Sequence, residues 1–488
     1  MTTRLRLAPI FVFLLAVVAC NSTSGSLTPG GSQQQFVARP WTTAPISPGV
    51  TVVTLGNGNP KYSGQVFDLR VGTDGGLYYS LDPLGLASPT PGNGTIGRYD
   101  FATQKQQYAL TPYQPGFLEQ TSTGVWVAEA ADPSGKVIVD HYKSIGGTNK
   151  PIDLPIGPFK GQLFSGLGGG TAIGSDGRIW FGSSNSPQLV ALDQSTGSPE
   201  VYNLPIPSNG ATPQPQYMAA GPDKSLWVSD DNNDSVWRVT TAGKATVTVL
   251  PQGNPFAKSP YQLTQGIGIG TDNKLYAASM GIEAKTYAQY GGSFNAGAPA
   301  LSPKFASIKV PPVSSPYVVA SAGGKVYFND IGIDGLGIYD IASGKVVVLP
   351  LSPLAFGGIA VDPQGNPWVA CLELTPTTGP KHVACIERVV LTSTWELYPS
   401  TNFSVVSGSS VAVGVGETGN SGPFTASSSD LCKIAPIAGF DHDFLLTPVI
   451  SSGTCEISVK DAHGRQVSAK VTVTKPAAGD PRPRLPFH

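Results

Sequence analysis

The sequence predicts an all-β protein, a seven-bladed β-propeller followed by a small β-sandwich, on three observations. Glycine and proline are abundant, at 59 and 44 of 488 residues, which is typical of many short strands joined by tight turns. One turn-and-strand unit recurs seven times along the chain. After residue 400 the pattern changes to alternating Val, Ser and Thr, which indicates a separate β domain.

The repeated unit is a tight turn followed by a short strand that contains an aromatic residue. Its copies are GTDGGLYYS (72–80), TSTGVWVAE (121–129), GSDGRIWFGS (174–183), GPDKSLWVSDD (221–231), GTDNKLYAAS (270–279), SAGGKVYFND (321–330) and DPQGNPWVA (362–370). They follow one another at intervals of roughly 40 to 54 residues, the length of a propeller blade. We predict that Trp126, Trp180, Trp227 and Trp368 lie mid-blade and pack against the neighbouring blade.

Three further strands complete each unit. Small apolar segments such as GTAIG and GIGIG precede the aromatic strand and are expected to be inner strands, where blades converge. A third strand follows, and the outer strand ends in Leu-Pro or a similar pair. The outer strands are expected at QQYALTP, KPIDLPI, EVYNLPI, TVTVLPQ, ASIKVPP, VVVLPLS and TWELYPS. An early strand at 50–55 either pairs with the last blade or flanks the first.

The regions outside the repeats predict an exported, tethered protein. Residues 1–20 have the positive start and short apolar run of a secretory signal. Their ending, Val-Val-Ala-Cys, resembles the lipobox of bacterial lipoproteins, which implies cleavage before Cys20 and an acyl anchor on that cysteine. We expect a flexible Ser/Gly/Pro-rich linker at 21–48, the propeller at 49–400 and a disordered tail at 476–488. The segment 401–475 resembles bacterial immunoglobulin-like domains. The signal sequence and the lipobox predict that the protein lies in the cell envelope, at the periplasmic face or the cell surface.

The remaining four cysteines fall into two local pairs. Sequence proximity predicts the disulfides Cys371–Cys385 and Cys432–Cys455, as an oxidising compartment allows. A zinc site is the alternative, although the chain has no Cys-x-x-Cys spacing and only five His. The formal net charge is −1 with 13% charged residues. No basic stripe is present to neutralise phosphates, so nucleic acid is not an expected partner.

The pattern GPDKSLWVSDD…VWRVTTAG resembles the repeat of the streptogramin (virginiamycin B) lyase family, over roughly 50–400. The resemblance implies a propeller that opens a cyclic depsipeptide by metal-assisted elimination, with a catalytic His at the start of an inner strand and Glu residues and Mg²⁺ near the axis. None of the expected inner strands here contains a His; the five histidines are His141, His382, His442, His463 and His488. General acid–base chemistry needs such a group near the proton it moves.

Two sets of residues are candidates for a site. The residue after the aromatic strand is acidic in three of seven units, Glu129, Asp230 and Asp330, which predicts a Mg²⁺ or Ca²⁺ site at one mouth of the propeller. The alternative is that these residues cap turns. The segment YAQYGGSFNAGAP, with Tyr287, Tyr290 and Phe294, either stacks on a sugar or peptide ring or is a long blade insertion.

We therefore predict a monomeric, envelope-anchored lipoprotein whose propeller binds a small-molecule, glycan or protein ligand without the family's catalytic His. The alternative function is a metal-dependent C–O lyase or lactone hydrolase that uses Glu129, Asp230 and Asp330. A purely structural role in surface assembly is the third hypothesis, which predicts no concave polar pocket.

Overall fold

The computed structural model describes residues 50–475. Outside the description within that span are residues 59–64, 83–93, 130–136, 155–169, 184–185, 209, 252–260, 283–288, 312–313, 332–334, 352–353, 376–380, 391–395, 399–402, 408–409, 417–422, 437–442, 462–463 and 465. The expected signal peptide, linker and C-terminal tail lie outside the described residues. Among those described, no helix has the length and hydropathy of a membrane span.

Six four-stranded antiparallel sheets follow one another along the chain after a first strand, β1 (Val50–Thr54), and a 3₁₀ turn (Leu55–Gly58). Blades one to three are β2 (Gln65–Val71), β3 (Leu77–Asp82), β4 (Gly94–Tyr99), β5 (Gln106–Thr111); β6 (Pro115–Thr121), β7 (Gly124–Glu129), β8 (Ile138–Tyr142), β9 (Asn149–Asp153); and β10 (Thr171–Ile173), β11 (Ile179–Ser183), β12 (Gln188–Leu192), β13 (Pro199–Asn203). Blades four to six are β14 (Pro215–Ala220), β15 (Ser225–Asp230), β16 (Ser235–Thr240), β17 (Ala245–Val249); β18 (Tyr261–Ile269), β19 (Leu275–Ile282), β20 (Gln289–Gly297), β21 (Phe305–Ile308); and β22 (Pro316–Ala322), β23 (Lys325–Asp330), β24 (Gly335–Asp340), β25 (Lys345–Pro350).

A seventh sheet closes the ring. It contains β26 (Leu354–Val361), β27 (Pro367–Thr375), β28 (Lys381–Val389) and, as its outer strand, β1. The inner strands β2, β6, β10, β14, β18, β22 and β26 contact one another in that order, and β26 contacts β2. The structure therefore confirms the predicted seven-bladed propeller.

Strand β1 resolves the two alternatives for the early strand. It pairs antiparallel with β28, from Val50 opposite Val389 to Thr54 opposite Cys385. Blade one also holds it, because Gln106 Nε2 donates to the Thr54 carbonyl at 2.9 Å and the adjacent 3₁₀ turn donates an N–H to the Tyr108 hydroxyl. The start of the propeller thus joins its last blade to its first.

The prediction that TWELYPS forms the outer strand of blade seven is wrong. Strand β29 (Glu396–Tyr398) pairs instead with a strand of the C-terminal domain. The physical reason is that β1 already pairs with the outer edge of β28, so the backbone hydrogen bonds of that edge are satisfied. The chain therefore leaves blade seven after Val389.

In five blades, an aspartate of the turn lies beside the aromatic residue of the second strand. This aspartate explains the repeated turn sequence. In blade four, Asp223 accepts a hydrogen bond from Trp227 Nε1 at 3.0 Å and pairs with Arg238 Nε at 2.7 Å. The next turn residue, Lys224, has φ 60°. All four predicted Trp residues are at most 2% exposed, and Trp368 contacts Tyr99 of the neighbouring blade at 5.5 Å. The repeat is therefore a folding unit, as expected.

The C-terminal domain is a two-sheet β-sandwich. Its strands are β29, β30 (Phe403–Val406), β31 (Val411–Gly416), β32 (Thr425–Ser428), β33 (Cys432–Pro436), β34 (Asp443–Pro448), β35 (Gly453–Lys460) and β36 (Gln466–Thr474), in the sheets β29-β31-β34-β33 and β30-β36-β35-β32. Leu445 packs against a blade-six cluster that includes Val346 and Val348. The assignment of this sandwich as immunoglobulin-like stays a prediction.

Both predicted disulfides are present. Cys371–Cys385 joins directly opposite residues of β27 and β28, and Cys432–Cys455 joins the two sheets of the sandwich. Their Cα–Cα distances are 4.9 and 6.1 Å. Two disulfides indicate an oxidising, extracytoplasmic compartment.

Candidate functional site

The three acidic residues singled out from the sequence lie at the ends of second strands. Glu129, Asp230 and Asp330 each stand opposite the proline that begins the inner strand of the same blade. They therefore lie at the same face of the propeller. Each accepts a backbone N–H from the connection that leads into its own blade, from Tyr113, Gln214 and Ser315 respectively, at 2.9, 3.0 and 2.8 Å.

Asp230 is fully buried and surrounded by donors from its own blade. Besides Gln214, it accepts hydrogen bonds from the Asn232 N–H at 3.1 Å, Asn233 Nδ2 at 2.8 Å and Trp237 Nε1 at 2.8 Å. Burial raises the pKa of Asp230, and these donors oppose that rise. Its oxygens are therefore committed to holding the turn after β15.

The structure does not bring the three carboxylates together. Each is bound within a separate blade, and among the described residues no group of three or more His, Cys, Asp or Glu side chains could hold a metal ion. The neighbouring Asp234 is likewise engaged, since it accepts from Thr264 Oγ1 at 2.8 Å and Ser279 Oγ at 3.2 Å, which links blade four to blade five. What the geometry shows for these acids is backbone capping and blade-to-blade contact.

The proposed aromatic ligand loop is only partly described. Tyr287 and the side chain of Tyr290 lie outside the described residues. Phe294 is fully buried in β20 and contacts Phe328 of blade six, with ring centroids 4.9 Å apart. Because this ring is 0% exposed and packs against Tyr276 of its own blade as well as against blade six, the interpretation of Phe294 as a ligand-stacking residue is wrong.

His141 has a structural position in β8. Its ring stacks on Trp126 at 4.0 Å, and Nε2 lies 2.9 Å from the Thr123 carbonyl. Burial lowers the pKa of His141, which favours the neutral ring. The residue lies on the third strand of its blade and so away from the central channel.

One end of the central channel is filled by aromatic side chains. Phe67, Phe117, Tyr217 and Tyr317, here called the aromatic plug, come from the inner strands of blades one, two, four and six. Phe117 contacts Tyr217 at 4.9 Å, and Tyr217 contacts Tyr317 at 6.3 Å. Blades two, four and six are not next to one another in the ring, so these two contacts extend across the channel. All four residues lie in the first half of their strands, near the face where the inner strands begin.

The other half of the channel contains a cavity of about 410 Å³. Its lining comes from the last residues of six inner strands, next to the short turns that join inner and second strands. Small and apolar side chains form most of the wall, and the polar ones are Arg70, Glu119, Thr171 and Ser321. The cavity thus combines an apolar wall with a few convergent polar groups, which is the usual composition of a small-molecule site.

The charged groups of this cavity form a network between blades one and two. Arg70 Nε donates to both oxygens of Asp68, at 3.1 and 3.3 Å, and Asp68 also accepts the Leu118 N–H at 3.1 Å. Thr171 Oγ1 donates to Glu119 at 3.1 Å. In the part of the chain that the structure describes, neither Nη atom of Arg70 has a hydrogen-bond partner.

The surroundings raise the pKa values of both Arg70 and Glu119. Burial lowers the pKa of Arg70, but the nearby acids Asp68 and Glu119 together raise it by more. The net shift of the Arg70 pKa is therefore upward. Burial raises the pKa of Glu119, against the opposing influence of Arg70 and Thr171. The cavity therefore presents one permanent cation and one carboxyl group that takes up a proton more readily than usual.

Sequence reasoning did not single out Arg70 or Glu119. A signal was present, because VFDLRV and GFLEQT carry charges where other inner strands, such as GTAIG and GIGIG, have only small and apolar residues. Charges in a segment expected to line a narrow channel are expensive unless paired, so they mark a site. Neither Arg70 nor Glu119 is a His, which is the residue type that the lyase resemblance implies in these strands.

The fold is similar to that of virginiamycin B lyase. The Staphylococcus aureus enzyme, as its selenomethionine form, gives a TM-score of 0.51 at 18% identity, covering 70% of this chain and 99% of that one. A streptogramin B lyase structure gives 0.50 at 18% identity, covering 70% and 98%. A catalytically inactive variant of the S. aureus enzyme, with quinupristin, also gives 0.50 at 18%, with coverage of 70% and 99%. At this identity the likeness shows the propeller fold alone. No family model matches the chain, and no curated protein matches it significantly in sequence.

Proposed function

We propose that this protein is an exported, lipid-anchored monomer that binds a small ligand in the channel cavity, from the face of the short turns. The observation that carries the proposal is Arg70. Asp68 fixes its guanidinium through Nε, while the two Nη groups have no partner among the described residues and the side chain is 27% exposed. A guanidinium held in one orientation with donors left over is preorganised to receive a ligand.

The shape of the channel supports a binding role. A volume of about 410 Å³ lies in the range of small-molecule pockets. The aromatic plug closes the opposite end, so a ligand that enters between the short turns meets a floor. The third hypothesis, a purely structural role, predicted no such polar cavity.

Binding without catalysis is proposed because the inner strands contain no His. Glu119 is the one carboxyl group in the described cavity wall, and the carboxylates of Glu129, Asp230 and Asp330 are engaged within their blades at the other face. A lyase or lactone hydrolase mechanism would need a second group to complete the proton transfer.

A cavity-filling variant tests the binding site. Ala219→Trp places an indole in the channel, and Val247→Trp places the same group on the exposed outer strand of blade four as a control. Both folded variants and the wild type would be screened by thermal shift against one chemically diverse set of small molecules. We expect stabilising molecules for the wild type and Val247→Trp that have no effect on Ala219→Trp. A failure to find any, or their retention in Ala219→Trp, would contradict the proposal.

The anchor is tested separately. Cys20→Ser removes the acyl acceptor, and we expect the protein to move from the membrane fraction to the soluble fraction and to lose incorporation of labelled palmitate. The matched control is Ser22→Cys, which leaves Cys20 in place. Membrane retention and labelling of Cys20→Ser would show that the lipobox resemblance is misleading.

A further inference from the structure

The cavity also has features that define the class of its ligand, and this step rests on the proposed function. We propose that the ligand is a neutral polyhydroxylated molecule, the size of a mono- or disaccharide, with two adjacent hydroxyl groups placed between Arg70 and Glu119. The inference follows from the charge balance, the hydrogen-bonding capacity and the apolar wall of the cavity.

The charge balance does not favour an anion. Asp68 already offsets the charge of Arg70 in a two-oxygen hydrogen bond at 3.1 and 3.3 Å. Glu119 adds a second acidic group on the adjacent blade, and burial raises the pKa of Tyr217 well above its usual value, so this hydroxyl group carries no charge at neutral pH. A carboxylate or phosphate placed on Arg70 would face both carboxyl groups at close range, where repulsion between like charges is weakly screened.

The same arrangement does not favour an amine. A cation drawn to Glu119 would lie beside the Arg70 guanidinium, whose charge Asp68 and Glu119 stabilise. It would also leave the Nη donors of Arg70 without acceptors, and a desolvated donor without a partner is costly. A neutral ligand avoids both penalties.

Hydroxyl groups match the polar capacity that remains. Arg70 has N–H donors on Nη1 and Nη2 and needs acceptors, whereas ionised Glu119 accepts and already receives the Thr171 hydroxyl at 3.1 Å. A hydroxyl group both donates and accepts, so one can receive Arg70 while its neighbour donates to Glu119. A vicinal diol does this with a single rigid ligand.

The rest of the wall fits the carbon skeleton of such a ligand. Met218, Ile267 and Val319, on the inner strands of blades four to six, supply apolar surface away from Arg70 and Glu119 of blades one and two. The C–H faces of a pyranose ring are apolar while its edges carry hydroxyl groups, so such walls bury the faces and leave the edges to the charged pair.

Matched sugars test the class of ligand. Neutral members of the gluco, galacto and manno series, as monosaccharides and disaccharides, would be compared with their uronate and 2-amino counterparts by saturation-transfer NMR and isothermal titration. We expect at least one neutral sugar to bind and its charged counterparts to bind about tenfold or more weakly. Arg70→Lys should weaken binding of the neutral sugar, because the planar pair of Nη donors is lost.

The variant Glu119→Gln tests the charge preference of the cavity more directly than Arg70→Lys does. It removes one negative charge and keeps an acceptor, so we expect discrimination against the uronate, measured as the ratio of the uronate and neutral-sugar dissociation constants, to fall by about tenfold. Tighter binding of the uronate or amino sugar to the wild type would overturn the ligand class. Absence of binding by every sugar, together with channel-dependent hits in the small-molecule screen, would also overturn it and leave the proposed function standing. Sugar binding that Ala219→Trp does not affect would contradict both.

Discussion

Acidic residues occupy two regions of this propeller, and their surroundings give them opposite roles. At the ends of the second strands, Asp230 receives four close donors from its own blade, at 2.8 to 3.1 Å. In the channel, Glu119 receives one hydroxyl at 3.1 Å and borders an open cavity. A carboxylate whose capacity is filled by its own fold is structural, whereas one with capacity left is available to a ligand.

A second difference separates two acids in the same register. Trp237 donates its indole N–H to Asp230 in blade four, whereas the equivalent position in blade two is Asp140. Glu129 therefore meets a second buried carboxyl group, and one oxygen of each has no partner in the described structure. Burial raises the pKa of Glu129 well above its usual value, and Asp140 raises it further. Two acids at the same register position, Asp230 and Glu129, therefore need not have the same protonation state.

The largest expected effect is the loss of stability in Asp230→Ala. The change leaves the buried Trp237 and Gln214 N–H groups without acceptors, and we expect the free energy of unfolding to fall by about 3 to 5 kcal/mol. Urea unfolding followed by tryptophan fluorescence measures it, and Asp193→Ala, an exposed turn acid, is the control. A loss under about 1 kcal/mol would mean that the strand-end acids do not hold their blades together.

An intermediate effect is expected on the pH dependence of stability in Glu129→Gln. Since the pKa of Glu129 is raised in the fold, the folded chain keeps a proton that the unfolded chain releases near pH 4.3. Stability from this group is therefore full at low pH and is lost as pH rises, by at most about 1.4 kcal/mol per pH unit. Glutamine supplies a permanent donor to Asp140 and should remove this loss.

Unfolding of both proteins between pH 5 and 8 measures the difference. We expect Glu129→Gln to gain stability over the wild type progressively as pH rises. The control is Glu200→Gln, which alters an exposed acid of blade three. Curves for Glu129→Gln and the wild type that stay parallel would show that Glu129 is ionised throughout this pH range.

The smallest expected effect is on stability in Glu119→Gln. An amide still accepts from Thr171 and the cavity side is open, so we expect the free energy of unfolding to change by less than about 1 kcal/mol. Urea unfolding at pH 7 beside Asp230→Ala gives the direct contrast. If Glu119→Gln destabilises the chain as much as Asp230→Ala, the two regions do not differ in role.

The sequence was sufficient for the blades because most repeats contain their own local determinants. The turn aspartate, the aromatic residue four positions later and the residue with positive φ lie within one hairpin, as Asp223, Trp227 and Lys224 do. The outer edge of blade seven could not be assigned this way. Both β1 and TWELYPS have suitable strand patterns, and only ring closure decides between them.

The cavity was harder to predict because it is a property of the assembled ring. Arg70 and Glu119 lie on different blades and approach each other only because inner strands β2 and β6 are neighbours. The strand-end acids were easier to notice, since they recur in one register, but recurrence reflected a repeated capping role. A repeat makes structural residues conspicuous, whereas the two charged residues of the cavity wall, Arg70 and Glu119, depart from the repeat.

The most direct test of the central claim is the position of a bound sugar. A crystal of the wild-type protein soaked with a selenium-containing methyl glycoside of the best neutral binder would locate the ligand by anomalous scattering. We predict a selenium peak in the channel cavity on the short-turn side of the aromatic plug, with sugar oxygens in contact with Arg70 and Glu119. A peak at the opposite face, beside Glu129, Asp230 or Asp330, would contradict the account.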